Sequence, residues 1–445
     1  MNDEQRLLDL AEAGVKAALA AGAEWADATA STTQDVDVEF ERNTIRECSS
    51  GSYENLGVRA FVRGGTGIAM ADGLDLATAK EVGAQAAEMA KATTPDPDFH
   101  RLPEPQPLPE SPEVFDDAVA GMASPELVEW CLEAIERGTQ GGGEVYLAGD
   151  AGFRYGTGAL VTSTGIALVR SSSSVGMGVS AAVWKDGQAA SHYDGTDARR
   201  LSDLKRDGLA EEVVEMAGRL IDDEPLPTCH CDLIMDYKTA YWWASIIVAS
   251  AEAEGIQRGR SFMGGKEGQK IASEALTIVE DPLVPFGVSS GAWDGEGVPR
   301  RKRVLIDHGV LTTYLHNSYT AYKAGVEPTG HATRGGAHVG IGYSNLQIEL
   351  GEKTMQEMIA ETENGVWVVS GGPYPDPYTG VVSSTVDGGF VIRDGKVGKA
   401  VKGALMTGEI FDLLSRIDAV SKDYEERPGR IMPAIRIKKA LISSQ

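Results

Sequence analysis

The chain carries several stretches whose residue types suit chemistry. RGRSFMGGKEGQKI (258–271) is glycine-rich in the manner of a phosphate cradle. A phosphate loop, however, follows a strand and runs through Gly-Lys-Ser/Thr into a helix. Here a predicted helix precedes the glycines and Glu267 follows Lys266, so a surface loop closing a helix is the better reading. Cys229-His230-Cys231 would put both thiols on one face of a strand. Zinc takes four ligands, usually from two separated clusters. Cys48 and Cys131 are single residues on other predicted elements, so a buried strand entry is expected here. His308, His316, His331 and His338 are scattered through the C-terminal half, and isolated loop histidines are more often hydrogen-bonded or surface residues than metal ligands. GVSSG (287–291) spells a nucleophile elbow around Ser289, but AWDGEGVPRR follows it without helical period, where a hydrolase needs a sharp strand-to-helix turn. Ser245, in a helix with Trp243, Ile246 and Ile247, is expected to pack and bond back to its own backbone. Taken alone, these residues define no active centre.

The elements that would position such groups are legible in the periodicity. Residues 4–22 follow the 3.6 period through Leu7, Leu8, Ala11, Val15, Ala18 and Leu19. DVDVEFE (35–41) alternates Val36, Val38 and Phe40 against Asp35, Asp37 and Glu39, the mark of a half-buried strand. Residues 55–71 read as a hairpin turning at Gly64-Gly65, and 76–92 and 125–137 as helices. The stretch 94–113 is crowded with prolines and is predicted to be an extended linker or surface wrap. Strands follow around 144–185, then a helix over about 199–220. DEPLP (223–227) breaks the chain, which places a domain boundary there: 1–222, containing the proline-rich linker, and 223–445. In the second half, helices are predicted at about 238–254, 353–361 and 406–416. Hairpins are predicted at 301–317, turning at Asp307-His308-Gly309, and at 390–403 with Asp394-Gly395 at the tip. Helices mixed with antiparallel strands in both halves give an α+β class with two domains, the C-terminal one strand-rich.

Composition narrows the function classes. The 445 residues hold 41 Lys and Arg against 66 Asp and Glu, a formal charge of −25. Such a surface repels phosphate backbones, so neither nucleic acid nor an anionic membrane is an expected partner. The 53 glycines lack a Gly-X-Y period and fit tight turns in a strand-rich protein. Four cysteines make no disulfide framework, and the first residues lack the basic and apolar regions of a signal peptide. A cytoplasmic location is expected.

Longer motifs carry a resemblance. VEFERNTIRECSSGSYENLGVRAFVRGGTGIAMADGLD (38–75), QRGRSFMGGKEGQKIASEALTIVEDPL (257–283), DGEGVPRRKRVLIDHGVLTTYLHNSYTAYKAG (294–325), TGHATRG (329–335) and YSNLQIELGE (343–352) occur in the order found in the TldD/PmbA family. The family was once described as modulators of DNA gyrase, and the resemblance runs over nearly the whole chain. It implies two kinds of member. One is a zinc protease subunit with His-Glu-x-x-x-His on a helix, in which the histidines bind zinc, the glutamate activates water and a downstream cysteine adds a ligand. The other, of PmbA or TldE type, lacks the metal motif and pairs with the first as a heterodimer that trims unfolded peptides, including peptide-antibiotic precursors.

Aligned at RGRSFM, the resemblance puts Ala244 and Ala249 at the two histidine positions and Ser245 at the glutamate position. Glu252 and Glu254 persist further along, and no cysteine follows Cys231. The chain therefore resembles the metal-free member. The resemblance implies no cofactor in this chain, zinc in a His-Glu-x-x-x-His partner, and unfolded peptide as substrate. A homo-oligomeric peptide-binding or scaffold protein is the alternative. Trp242 or Trp243 is expected to fill the degenerate cleft. The matched motifs nominate Arg258, Gly259, Ser261, Asp294, Glu296, Tyr319, His331, Arg334 and Asn345 as substrate or interface positions, with turn-forming roles as the plainer reading. PYPDPYTGVVSSTVDGGF (373–390) follows the family pattern only loosely.

Overall fold

The computed structural model describes residues 3–401 and 403–443. The first half is built on six antiparallel strands: β1 (Trp25–Glu41), β2 (Thr44–Val62), β3 (Gly65–Asp72), β4 (Glu144–Thr162), β5 (Ala167–Lys185) and β6 (Gln188–Ala198), in spatial order β3-β2-β1-β4-β5-β6. Alternation along β1 separates two environments. Even-numbered Ala26, Ala28 and Ala30 pack with Leu7, Leu10 and Val15 of helix Asp3–Ala20 and with Val82 and Ala86 of helix Leu76–Ala92. Val38 and Phe40 pack with Leu127 and Cys131 of helix Ser124–Thr139 and with Val213 of helix Leu209–Arg219. The first two helices approach closely because Gly83 has no side chain: a Cβ there would lie 2.2 Å from the Gly14 carbonyl. All four helices thus cover one face. The odd-numbered residues of β1, from Asp27 through Thr29, Ser31, Thr33, Asp35 and Asp37, form a polar face without helices.

The second half centres on strands β7 (Cys229–Met235), Asn364–Gly371, Val381–Arg393, Ala404–Glu409 and Arg430–Ser443. β7 pairs in parallel with Asn364–Gly371 and antiparallel with Arg430–Ser443, so these five strands close into a ring. The core beside it holds Leu233, Val366, Val368, Met406, Ile435 and Ile437 together with Trp243, Ile247 and Val248 of helix Tyr237–Ala249. The shorter strands Ile278–Glu280, Arg303–Asp307 and Leu346–Ile348 extend the sheet outward.

Most predicted elements are present, including the extended run through the prolines and the hairpin tips at His308-Gly309 and Asp394-Gly395, while the first hairpin turns at Arg63-Gly64 rather than Gly64-Gly65 because Gly65 already pairs with Val62. Three helices are shorter than their periodicity suggests. The helix predicted over 199–220 is a 3-10 turn at Leu201–Asp203 and then a helix only from Leu209. Leu201 N–H is held by the Asp116 carboxylate at 2.8 Å, and Gly208 turns the chain at φ 83°. The helix predicted over 238–254 stops at Ala249 and restarts at Ala253. Between them Leu315 N–H bonds Ala251 O and Ala253 N–H bonds Leu315 O, so an isolated bridge to the segment at Leu315 takes the backbone groups that helix would have used. The helix predicted over 406–416 begins at Ile410, because Ala404–Glu409 is captured as a strand between two others. No helix among the described residues is long and apolar enough to cross a membrane.

Candidate functional site

The helix Tyr237–Ala249 starts at Asp236, whose buried carboxylate accepts Thr239 N–H at 2.8 Å and is pushed up to about 6 by burial. Its apolar sequence is packed on most sides. Ala244 and Ser245 are buried, and Ala249 is half-buried. The Ser245 hydroxyl donates to Trp242 O at 2.7 Å, the back-bond expected of it. The two tryptophans divide: Trp243 is fully buried and donates its indole N–H to Pro373 O at 2.9 Å, whereas Trp242 is 59% exposed. These side chains do not fit a zinc ion. Alanine offers no lone pair, and the one hydroxyl is turned onto its own helix. Glu252 lies in the break after the helix, where burial and the neighbouring Glu254 raise it to about 7.

The nominated positions after this helix serve the loop itself. Arg258 pairs with Glu254 at 2.8 Å on the surface, Gly259 takes a left-handed φ of 65°, and the Ser261 hydroxyl bonds Ser250 O at 2.5 Å. The later nominees build joints. Asp27, on the polar face of β1, accepts Arg59 at 2.6 Å and also pairs with Arg334. Arg59 reaches on to Glu296 at 2.9 Å, and Glu296 accepts Ser318 N–H at 2.8 Å. Burial opposes ionisation of Asp27, but Arg334 and Arg59 hold its carboxyl below the ordinary range. Asp294 is buried and accepts backbone N–H groups of Glu296, Val298 and Ala332 at 2.9–3.0 Å. Burial, with the Glu296 charge adding to it, pushes Asp294 up to about 7. His331 bonds Glu280 at 2.6 Å and Thr329 at 2.7 Å, and Asn345 ties Ser289 N–H, Ser290 Oγ and Asp281 O together. Tyr319 donates to Asp96 at 2.9 Å, pinning the proline-rich segment to the second half. Ser289 sits in an irregular loop and His230 on β7 is exposed beside buried Cys231.

Two cavities lie on the helix-free face of the six-stranded sheet. The larger, about 640 Å³, has a floor of Thr29, Ser31, Thr33, Gly156, Gly158, Ser172 and Ser174 and a roof from Trp293–Gly295 and Thr333–Arg334. Asp294 and Arg334 are the nominated residues that line it. Its remaining charges were not nominated: Arg154, Arg170, Arg199 and Arg300. The smaller cavity, about 430 Å³, shares Arg154 and Ser174 with the first and is lined by Asp35, Asp37, Asp150, Asp197, Tyr193 and the exposed Trp242. Burial and neighbouring acids raise both Asp37 and Asp150. The face is therefore cationic at one end and anionic at the other. One sequence signal marks the cationic end: residues 151–185 contain no Asp or Glu in a chain rich in both.

Comparison with known proteins agrees with the motifs. Residues 26–90 match the family model described as PmbA/TldA metallopeptidase domain 1, and residues 228–444 match the PmbA/TldA metallopeptidase C-terminal domain. A metalloprotease of Methanothermobacter thermautotrophicus is 31% identical over 249 residues, covering 53% of this chain and 55% of that protein. Metalloprotease PmbA of Escherichia coli O157:H7 is 26% identical over 263 residues, covering 59% of this chain and 56% of that protein. The chain spans about half the length of the curated relatives it matches. The crystal structure of TldE from Thermococcus kodakarensis superposes with a TM-score of 0.88 at 24% identity, covering 99% of this chain and all of that one. A putative modulator of DNA gyrase from Bacteroides thetaiotaomicron gives 0.89 at 21% identity, with 98% of each chain covered. The fold is shared along the full length and the motifs occur in order: the chain belongs to the PmbA/TldD family of metalloprotease-related proteins.

Proposed function

We propose that this chain is the metal-free subunit of a heterodimeric TldD/TldE-type zinc protease acting on unfolded peptides. The observation that carries this reading is the helix Tyr237–Ala249: at the positions where the resemblance requires His, Glu and His, it has Ala244, Ser245 and Ala249. Two methyl groups and a back-bonded, buried hydroxyl neither hold a cation nor activate water. No cysteine downstream of Cys231 is available as a further ligand. The active centre would then belong to the partner, and this chain would complete the chamber and hold substrate there.

The test is reconstitution. The purified chain, mixed with a homologue carrying His-Glu-x-x-x-His, is expected to form a stable complex with chelator-sensitive peptidase activity that neither subunit shows alone. Chelator-resistant cleavage by this chain alone sinks the proposal. Self-association without complex formation or cleavage replaces it with the homo-oligomeric scaffold.

A further inference from the structure

The cationic end of the polar face has the features of a binding site with its ligand unaccounted for. Arg170 projects from β5 opposite Gly158, on the same face as Ser172 and Ser174. Its guanidinium lies 5.5 Å from the Trp293 ring centroid. Gly291 leaves the room it occupies: a Cβ there would sit 2.1 Å from Arg170 Nη1. Arg199, just beyond β6, is fixed by the carbonyls of Gly287, Val288 and Ser173 at 3.1–3.2 Å. Arg300 comes from the opposite wall. It donates from Nη1 to Ser289 O at 3.3 Å, and its buried Nε has no hydrogen-bond partner.

Among the described residues, none of these three side chains forms an ion pair, although acids outnumber bases 66 to 41 in the chain. Asp197, the acid near Arg199, is already engaged by Arg427 and Arg430. Arg170 is exposed at the cavity mouth, and partial desolvation with the Arg300 and Arg199 charges still pulls it down to about 10, so the cluster carries like-charge repulsion as it stands. Arg334 differs, being neutralised by Asp27. Guanidinium forks converging on one cavity are suited to planar or tetrahedral oxyanions, which they bind through paired charge-assisted hydrogen bonds. The cavity is large enough for several residues of extended chain beyond one such group, and its lining mixes hydroxyls of Thr29, Ser31, Ser172 and Ser174 with the apolar side chains of Met70 and Leu168.

We propose that Arg170, Arg199 and Arg300 form an oxyanion-binding site that takes the C-terminal carboxylate of a peptide lying along the helix-free face, its chain directed toward the aspartate-lined cavity. The peptide half of this assignment rests on the function proposed above; the oxyanion half does not. A free small oxyanion such as phosphate is the other source of the same chemistry.

Calorimetric titration of the full chain tests it, using inorganic phosphate and two short basic peptides identical except for a free or amidated C-terminus. At fixed ionic strength the free acid is expected to bind about tenfold or more tightly than the amide. Phosphate should compete with it. Arg170→Gln and Arg300→Gln should abolish the preference, and Arg46→Gln, which removes a remote surface pair, should leave it. Equal affinity for acid and amide overturns the carboxylate assignment, and no binding of either peptide or phosphate overturns the site. Phosphate binding without peptide binding assigns the site to a small free oxyanion and overturns the peptide half. If the cluster variants fail to fold, the wild-type acid–amide comparison and the phosphate competition still decide. Because no partner subunit is needed, failed reconstitution of protease activity leaves these outcomes readable.

Discussion

Two groups of arginines sit on the same sheet face and differ in one respect. Arg59 and Arg334 share Asp27, and Arg59 also holds Glu296, so every charge in that group has a partner. Arg170, Arg199 and Arg300 have carbonyls and an aromatic ring around them but, among the described residues, no carboxylate paired with them. Both groups lie between segments from opposite halves of the chain. The first is a joint: it ties β1 and β2 to the Asp294–Gly297 turn and to the strand Ala332–Gly335. The second ties the halves only through backbone carbonyls, Arg199 bridging Ser173 to Gly287 and Val288, and it carries like-charge repulsion. Paired charges in a buried joint mark structure, and unpaired charges converging on a cavity mark a place for something to arrive.

The comparison is broken most forcefully at Asp27. Asp27→Ala leaves Arg59 with Glu296 alone and Arg334 with no carboxylate in a buried joint, and the expected loss is ~3–5 kcal/mol of unfolding free energy. Urea denaturation of the full chain measures it. A loss below ~1 kcal/mol would mean the joint is dispensable and the distinction drawn here has no content.

A smaller effect separates the two groups by pH. Asp294 is raised to about 7, so between the ordinary aspartate range and that value the folded chain binds a proton that the unfolded chain does not. Stability tied to Asp294 therefore rises as pH falls from 8 toward 5, by about 3 kcal/mol at most. Asp27, held low, contributes stability that is lost only at pH below the ordinary carboxylate range. Asp236 and Glu252 are raised to about 6 and about 7 and titrate in the same window. The quantity to measure is thus the difference in pH slope between wild type and Asp294→Asn. Equal slopes would show that the three backbone N–H groups keep Asp294 ionised throughout.

Gly259→Ala is expected to cost about 1 kcal/mol, since the left-handed φ of 65° strains any Cβ although the space around it is open. It should leave phosphate binding unchanged. A change in binding would draw the loop after the degenerate helix into the site and blur the boundary between the regions.

How much of this was legible in the sequence follows from range. Alternation in DVDVEFE separated the two faces of β1, and the period of 76–92 gave its helix to the residue, because both depend on neighbours along the chain. The helices that came out short, at 199–220, 238–254 and 406–416, lost residues to strand partners or side chains distant in sequence. The site shows the same split. Motif residues Asp294, Glu296, Arg334 and His331 were nominated, but their partners Asp27, Arg59 and Glu280 were not, since nothing local links Asp27 to Arg334. Of the three unpaired arginines, Arg170 on β5 and Arg199 at the end of β6 lie outside every motif, whereas Arg300 lies inside DGEGVPRR and carries no local sign that it faces the other two. The absence of acids from 151–185 was the trace that Arg170 left.

The smallest expected effect sharpens the comparison most. Arg170→Gln removes an exposed guanidinium that two like charges already disfavour. Its effect on unfolding free energy should be within ~0.5 kcal/mol, with any gain largest at low salt, where repulsion is least screened. Urea denaturation with and without phosphate gives the second half of the test. A ligand that binds only the folded state stabilises it by an amount set by concentration over dissociation constant, so phosphate should stabilise wild type and leave the variant unmoved. A variant that loses as much stability as Asp27→Ala would place Arg170 with Arg59 among the structural arginines. A near-neutral variant with no response to phosphate puts it on the other side, as a charge kept for its ligand.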